Sequence, residues 1–594
     1  MSLDQSTISS TAASEASSSE VGGSDCLKAI IGPLKPAYNQ ALVLSFGISL
    51  IGLMSSIFAL QVYDRVVAKG GDSTLVALTS GMVVAILIDF VLRQGRAGLM
   101  RRAGAQVEVG IAKAVYKRLT QLPTAQLESR PPAYWQAMFR DVELVRSTMT
   151  GAPALLLIDL PFLGLSLILI GVIAPPLFKL AIGLVLVFVL LAWWAERVMR
   201  GAASQEKQQL VSRDAMLGEL SAARLQLKAA GNTETTDNRW QSFYASWMEE
   251  SLGRSKDGDR FRDISQGMTI AATVAMTTVG ALAILDQQMS MGALIAANIL
   301  TGKLVGPLVQ LVSQWRTFGQ YKAARARMEQ LFELPIERQR SGVQLERPKG
   351  EIKLDKLCFS YPKSKDPQIF EVSGRLGAGG LHAIVGANGS GKTTLLKLIR
   401  GLYPSSSGTL QIDGVDVEQL GQADLADWIG YLPQQPRMIS GTIRDNLLLG
   451  SPDATDEQII EACKRAVAYD LIVALPDGFD TPVGEAGSRF SNGQRKRMAI
   501  AQTLVNDPPI ILMDEPTSDL DSSAEQALVA SLKQLSKDHT VVLVTHSPAV
   551  LNQCDGVVLL DRGRVAMAGP AAQILPKLGF QRQGPATVSG GAIS

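Results

Sequence analysis

Cysteine is scarce in this 594-residue chain, and its charge carries almost no sign. The four cysteines, Cys26, Cys358, Cys463 and Cys554, show no C-x-x-C spacing. That excludes a thiolate zinc site and a disulfide framework, and they read as reduced thiols in a protein facing the cytosol. Lys and Arg total 57 against 55 Asp and Glu, a net charge of +2, so no electrostatic argument for nucleic acid exists. The N-terminus has no basic segment leading into an apolar run, which excludes a cleaved signal peptide. Residues 1–34 open on Ser, Thr, Ala and Glu without periodicity and are expected to be a disordered cytoplasmic tail. The same holds for residues 581–594, ending GPATVSGGAIS. Apolar residues, by contrast, are plentiful. They make up 46% of the chain against 19% charged, with a mean hydropathy of +0.15, and the length requires two or more domains.

The apolar residues are concentrated before residue 315. Six runs there, 41–63, 75–94, 152–174, 177–197, 267–286 and 291–314, approach or exceed the ~20 residues that cross a bilayer. Six such runs with short polar breaks are hard to bury in a soluble protein, so they read as spans. The segment PALLLIDLPFLGLSLILIGVIAPPLFKLAIGLVLVFVLLAWWAERVMR contains two of them, reversed at Pro175-Pro176, with Trp193 and Trp194 near an interface. Segments 93–146 and 197–262 are rich in Lys and Arg, whereas the opposite connections are short. That asymmetry places both termini in the cytoplasm. Each basic segment is expected to run as helices about 30 Å beyond the membrane, turning at 128–141 and 230–243. Tyr134, Trp135 and Trp240 would be anchors there for another domain. Inside the spans, Asp89 is spaced to pair with Arg93. Asp159 and Lys303 would line a path or pair structurally.

After a linker at 336–349 the pattern becomes strands alternating with helices, an α/β domain over 350–580. GANGSGKT, Gly386 to Thr393, lies between the strand-like LHAIV and a helix and fits a phosphate-binding loop. Gly386, Asn388, Gly389, Ser390, Gly391 and the following Thr394 would turn backbone N–H groups around phosphates. Lys392 would meet the β/γ-phosphates, and Thr393 would ligate Mg²⁺. The strand IILMDE ends in two carboxylates. Asp514 is placed to hold Mg²⁺ through water, and Glu515 to polarise the attacking water. His546, at the end of VVLVTH, would contact the γ-phosphate or orient Glu515. Gln434, on a loop after a strand, would sense Mg²⁺ and the water, and Tyr361 would stack on adenine. The stretch RFSNGQRKRMAIAQ raises a separate question, because basic side chains crowd a helix N-terminus whose dipole they oppose.

Taken together and in this order, the phosphate loop, the Gln loop, FSNGQ, IILMDEPTSDLD and the terminal His resemble the ATP-binding cassette (ABC) ATPases. Joined to six upstream spans, they resemble a half-transporter of the exporter type. The fold implied is an all-α six-helix transmembrane domain, 35–335, followed by an α/β P-loop ATPase domain. The resemblance implies ATP and Mg²⁺ as cofactors, and a dimer, most simply of identical chains, with two ATPs sandwiched head-to-tail. Ser491, Gly493 and Gln494 would then face the ATP of the other subunit, and Asp521 would lie near the opposite site. The family pattern Leu-Ser-Gly-Gly-Gln is altered here by Phe490 and Asn492. A working signature is still expected, because Asn tolerates left-handed backbone angles. The turns at 128–141 and 230–243 resemble coupling helices that seat on the ATPase domains.

LQVYDRVVAKGGDSTLVALT and LLLIDLPFLGLSLILI resemble type I secretion exporters. These export unfolded polypeptide from the bacterial inner membrane through a periplasmic membrane-fusion adaptor and an outer-membrane channel. A lipid or drug exporter is the alternative within transport. A channel that binds ATP without turnover is disfavoured by the presence of Glu515. Only about 40 residues precede the first span, too few for the peptidase-like domain of some relatives. Leader cleavage is therefore not expected, and Cys26 is no protease nucleophile.

Overall fold

The structure, a computed structural model, describes residues 23–199, 202–231, 234–338, 346–362, 364 and 366–579. The expectations for residues 1–22 and 581–594, and for most of the linker, lie outside the described residues. Packing divides the chain into two units, Met1–Thr120 with Arg130–Leu334, and Gln121–Ser129 with Pro335–Ser594.

The first unit is helical. In chain order the helices are α1 (Gly23–Ile31), α2 (Leu34–Gln61), α3 (Asp72–Thr120), α4 (Thr124–Glu128, in the second unit), α5 (Pro132–Thr150) and α6 (Ala152–Asp159). They continue with α7 (Leu163–Ile173), α8 (Pro175–Met199), α9 (Ala202–Ala222), α10 (Arg224–Ala230), α11 (Glu234–Leu285) and α12 (Met291–Glu333). Among the described residues six helical stretches are long and apolar enough to cross a membrane. They are Leu34–Val67, Asp72–Thr120, Pro132–Ile173, Pro175–Val198, Thr236–Leu285 and Met291–Glu333. Each overlaps one of the six expected runs. Val43, Leu87, Val172, Leu190 and Val274 are all more than half exposed on them, a density of bare apolar surface suited to lipid.

Three expectations need correction. First, the tail through residue 34 is not wholly disordered. Residues 23–31 form α1, whose Leu27 is buried and which packs on α3 and α12. Its apolar residues Leu27, Ile30 and Ile31 make one short helical face, too brief to register as periodicity. Second, the third span is not one straight helix, because Gly151 and Pro161 divide it into α5, α6, a 3₁₀ turn at Leu160–Phe162, and α7.

Third, the first of the two expected turns lies earlier than 128–141. Residues 121–129, with α4, pack in the second unit, so the expected transmembrane domain 35–335 is interrupted there. Pro132 does not break a helix but begins one, as proline at the first helical position does, and α5 continues through residue 141. Tyr134 and Trp135 therefore sit on α5, in the first unit, with Arg130 over the Tyr134 ring at 4.5 Å. The second turn follows Gly231 (φ 65°), with Asn232 and Thr233 outside the described residues. Trp240 lies inside α11, stacked on Tyr244 at 5.5 Å.

Charges within the spans tie helices together. Asp89 pairs with Arg93 at 2.6 Å, as expected. Asp159 accepts from Arg96 at 2.7 Å, and the same guanidinium nitrogen donates to Ser45 Oγ at 2.6 Å. Lys303 on α12 donates to the Gly52 carbonyl of α2 and to Ser55 Oγ at 2.7 Å. At the start of α12, Asp64 accepts from Ser290 Oγ at 2.6 Å and from the Gly292 N–H at 3.1 Å. A carboxylate there complements the positive helix end.

The second unit has two sheets. The smaller contains β1 (Ile352–Phe359), β2 (Ile369–Leu376), β4 (Ser407–Ile412) and β5 (Val415–Asp416), in the order β2-β1-β4-β5. The larger contains β3 (Leu381–Val385), β6 (Ile429–Leu432), β7 (Ile510–Asp514), β8 (Thr540–Val544), β9 (Gly556–Asp561) and β10 (Arg564–Pro570), in the order β10-β9-β3-β8-β7-β6. Strands β9, β3, β8, β7 and β6 pair in parallel. Strands β7 and β8 are buried along their whole length, the pattern of a sheet covered on both faces.

The Arg96–Asp159 pair yields a prediction. Asp159→Ala strands Arg96, which is buried, so thermal unfolding of the purified protein should be destabilised by roughly 3 kcal/mol. The double change Arg96→Met with Asp159→Ala should recover part of that loss in a double-mutant cycle.

Candidate nucleotide site

Strand register brings the candidate residues to one edge. Ile384 of β3 lies opposite Val544 of β8, Val544 opposite Asp514 of β7, and Met513 opposite Leu432 of β6. The four strands end level, so the chain after each emerges at the same carboxyl edge, where ligands bind in open α/β sheets. Gly386 follows β3, Glu515 follows β7, and His546 and Gln434 lie two residues past β8 and β6.

The loop Gly386–Gly391 is shaped by backbone that side chains cannot share. Gly386 has φ 151°, and a Cβ there would meet the Leu560 carbonyl oxygen at 2.2 Å. The loop is braced by the Gly563 N–H donating to the Ser390 carbonyl at 3.0 Å and by Gln368 Nε2 donating to the Gly389 carbonyl at 3.0 Å. Its crest, with Asn388 and Gly389, is exposed, whereas Ser390, Gly391 and Lys392 are buried. The Lys392 ammonium donates to the Gly386 and Ala387 carbonyls at 2.8 and 2.9 Å. Burial pushes its pKa down, opposed by Glu515 and Asp514. Helix α13 (Lys392–Ile399) starts here, with Thr393 and Thr394 in its first turn.

Thr393 Oγ1 donates to Asp514 Oδ2 at 2.7 Å, joining the two sequence motifs directly. Burial raises the Asp514 carboxyl above the usual range against the Thr393 hydrogen bond, and neighbouring Glu515 adds to the rise. Glu515 is half-buried, with φ 49°, and its N–H donates to the Val544 carbonyl at 2.8 Å. Gln434 and His546 are exposed at this edge, and no hydrogen bond joins either to Glu515 among the described residues. The half-buried Tyr361 shares a hydrogen bond with Thr394 Oγ1 at 3.2 Å. Its ring meets Phe359 and Tyr403 edge-on at 4.9 and 5.4 Å.

These residues suit a nucleotide with a hard cation. Ser390 Oγ is buried without a partner, and Lys392 is held by carbonyls that phosphate oxygens can replace. Thr393 and Asp514 are oxygen donors in contact, matching the one or two protein ligands Mg²⁺ usually accepts beside phosphate.

Residues 40–308 match the model of the ABC transporter transmembrane region, and residues 369–518 match that of the ABC transporter. The chain belongs to the ABC transporters. It is an exporter-type half-transporter whose second unit is an ABC-type ATPase. It is similar to the toxin RTX-I translocation ATP-binding protein of Actinobacillus pleuropneumoniae, with 27% identity over 545 residues, 91% of this chain and 76% of that protein. The leukotoxin translocation ATP-binding protein LktB of Mannheimia haemolytica is 26% identical over 538 residues, with the same coverage. In fold the chain resembles a bacterial Atm1-family ABC exporter solved with ATP bound. The TM-score is 0.80 at 22% identity, over 92% of this chain and 97% of that one.

The stretch FSNGQ, which resembles the ABC signature, opens the helix Asn492–Leu504. Ser491 is its N-cap. Ser491 Oγ accepts from the Gln494 N–H at 3.2 Å, and Gln494 Oε1 accepts from the Ser491 N–H at 3.0 Å, a reciprocal capping box. Asn492 is the first helical residue and has no positive φ. The expectation that Asn serves here by tolerating left-handed angles is therefore wrong, since any residue adopts this conformation. Gly493 is required by contact, because a Cβ would lie 2.6 Å from the Asp519 carbonyl oxygen.

The basic residues of this helix are engaged by their own chain. Arg495 donates to the Gly487 and Phe490 carbonyls at 3.2 and 2.8 Å and to Asn492 Oδ1. Arg497 donates to the Val467 carbonyl at 3.2 Å. Lys496 is buried and reaches the Glu515 carbonyl at 2.9 Å, a contact that motif reading missed. Only its position three residues after Gly493, on the same helix face, signals it. Asp521 caps the next helix, Ser522–Leu535, by accepting from the Ala524 N–H at 2.8 Å. That bond and one from Ser523 hold its carboxyl below the usual range.

Two outcomes follow from this geometry. Ionised Asp514 costs stability in the nucleotide-free protein, because its folded pKa is raised and that cost grows as pH rises through it. Asp514→Asn should therefore raise the melting temperature of the nucleotide-free protein at pH 7 while abolishing hydrolysis, measured by calorimetry and phosphate release. Asn492→Gly should bring no gain in ATPase rate, since the native turn already has helical geometry. A several-fold rise would show the native turn to be impaired.

Proposed function

We propose that this half-transporter pairs with a second copy and uses ATP hydrolysis to export unfolded polypeptide across the bacterial inner membrane, as the ABC component of a type I secretion system. The observation that carries the catalytic part is the level carboxyl edge of β3, β8, β7 and β6, with Thr393 bonded to Asp514 and Glu515 next to it. The cargo class is supported by the relatives named for toxin and leukotoxin translocation. Export of this kind requires an adaptor and an outer-membrane channel as partners. The ATPase unit and both termini face the cytoplasm, in keeping with the Lys- and Arg-rich 93–146 and 197–262 segments.

In this reading Lys392 and the N–H groups of residues 386–394 hold the phosphates, and Tyr361 stacks against adenine. Thr393, Asp514 and Gln434 would hold Mg²⁺, which when bound would supply positive charge beside the transferred phosphoryl group. Glu515 polarises the attacking water and His546 steadies the γ-phosphate side of the site. Ser491, Gly493 and Gln494 of one chain close over the ATP of its partner, with Asp521 beside it. Ser491 is exposed at a helix N-terminus, which suits an anion. The chain enters and leaves α4 through α3 and α5 of the membrane unit, so α4 is the segment through which closure would act on the spans.

Two measurements test this reading. Glu515→Gln should bind ATP with unchanged affinity but hydrolyse it roughly 100-fold more slowly or worse, and equal rates would remove Glu515 from the chemistry. Cells lacking the gene should lose a secreted polypeptide from the medium with lipid composition and drug tolerance unchanged. Intact secretion with altered drug tolerance would point to small-molecule export instead.

A further inference from the structure

The ammonium of Lys496 does not face a phosphate. Lys496 is 3% exposed, and the hydrogen-bond partners of its ammonium are a carbonyl and a hydroxyl. It donates to the Glu515 carbonyl at 2.9 Å and to Ser518 Oγ, while Ser518 Oγ also donates to the Glu515 carbonyl, at 3.1 Å. With the Ser518 N–H, which donates at 3.3 Å, three donors thus converge on one carbonyl oxygen. On the other side of the same residue, the Glu515 N–H is held by Val544 of β8 at 2.8 Å. Glu515 needs this support, since its φ of 49° is a left-handed conformation that costs a residue other than glycine on the order of 1 kcal/mol or more. Burial pushes the Lys496 pKa down, countered by Asp519, Glu515 and Asp514. A desolvated cation of this kind is retained only where its donors are used. The same helix face presses Gly493 against the Asp519 carbonyl, so the signature helix lies directly on the turn that carries Glu515.

We propose that Lys496 is a positioning residue for ATP hydrolysis. With Ser518 it locks the Glu515 carbonyl and so fixes the left-handed backbone that aims the Glu515 carboxylate. The inference rests on the reading of Glu515 as the group that polarises water. Because Lys496 lies five residues after the N-cap Ser491, one rigid helix carries both the signature turn and the clamp on the chain's own Glu515. A shift of the signature helix on meeting the partner's ATP is therefore transmitted to Glu515 through a single side chain. Among the described residues no hydrogen bond joins the phosphate loop to Lys496, so ATP affinity should be independent of the clamp.

The test uses the full-length chain in lipid nanodiscs. Lys496→Met keeps the volume and removes the donors, and Lys496→Arg restores a cationic donor. The expected result is a fall in kcat of roughly 10- to 100-fold for Lys496→Met, the scale of a catalytic group misplaced by about 1 Å. KM for ATP should stay within about twofold, and Lys496→Arg should recover part of kcat. A kcat for Lys496→Met near the native value overturns the proposal, as does a parallel rise in KM. If Lys496→Met does not fold, Ser518→Ala removes the hydroxyl donor to the same carbonyl and the hydroxyl partner of Lys496, and leaves the backbone N–H. It should lower kcat several-fold at unchanged KM, and an unchanged kcat would again overturn the clamp. Glu515→Gln run alongside separates the two failures. If it stays active, the reading of Glu515 falls. If it is inactive while Lys496→Met is normal, only the clamp falls.

Discussion

Everything in the ATPase unit depends on the parallel register of β3, β8, β7 and β6. Strand β7 is buried at every position and apolar up to its last residue, and Asp514 is tolerated only because it comes last, where Thr393 meets it. A one-residue slip would turn alternate side chains to the opposite face. The carboxylate would then enter the core and part from the phosphate loop. The same register sets Glu515, Gln434 and His546 on one edge although they are far apart in the chain. Fold stability and site geometry are thus the same constraint.

The membrane unit answers to a different solvent. With lipid outside, apolar surface does not by itself hold helices together, so packing and polar ties carry more of the specificity. Arg96 to Asp159 and Ser45, Lys303 to Gly52 and Ser55, and Asp64 to the start of α12 are ties of this kind. Asp159 and Lys303 therefore work as helix ties and not as free charges waiting for cargo. Elsewhere in the first unit Arg327 grips Asp141 with two hydrogen bonds, of 3.0 and 3.1 Å, joining α12 to α5.

Much of this was legible because its signals are strong and local. Apolar runs long enough to span a bilayer, and a Gly-rich loop between strand and helix, have few other uses. What escaped notice was set by contacts between distant residues, or by one residue with two opposite meanings. Pro131-Pro132 read as a break, yet Pro132 starts α5, and this moved the turn to α4. Helix α1 is too short for its face to show as a period. Asn492 was judged by a turn it does not make. Lys496 looked like one of three equivalent basic residues, and only its contact with the Glu515 carbonyl distinguishes it.

The central claim is that hydrolysis needs the phosphate loop of one chain and the signature of another. The direct measurement is ATPase activity in dimers co-assembled from two inactive chains, one carrying Lys392→Ala and the other Ser491→Arg. Each homodimer should be inactive. The mixed dimer should regain hydrolysis, since it contains one site with an intact loop from the second chain and an intact signature from the first. A mixed dimer as inactive as its parents would contradict the account.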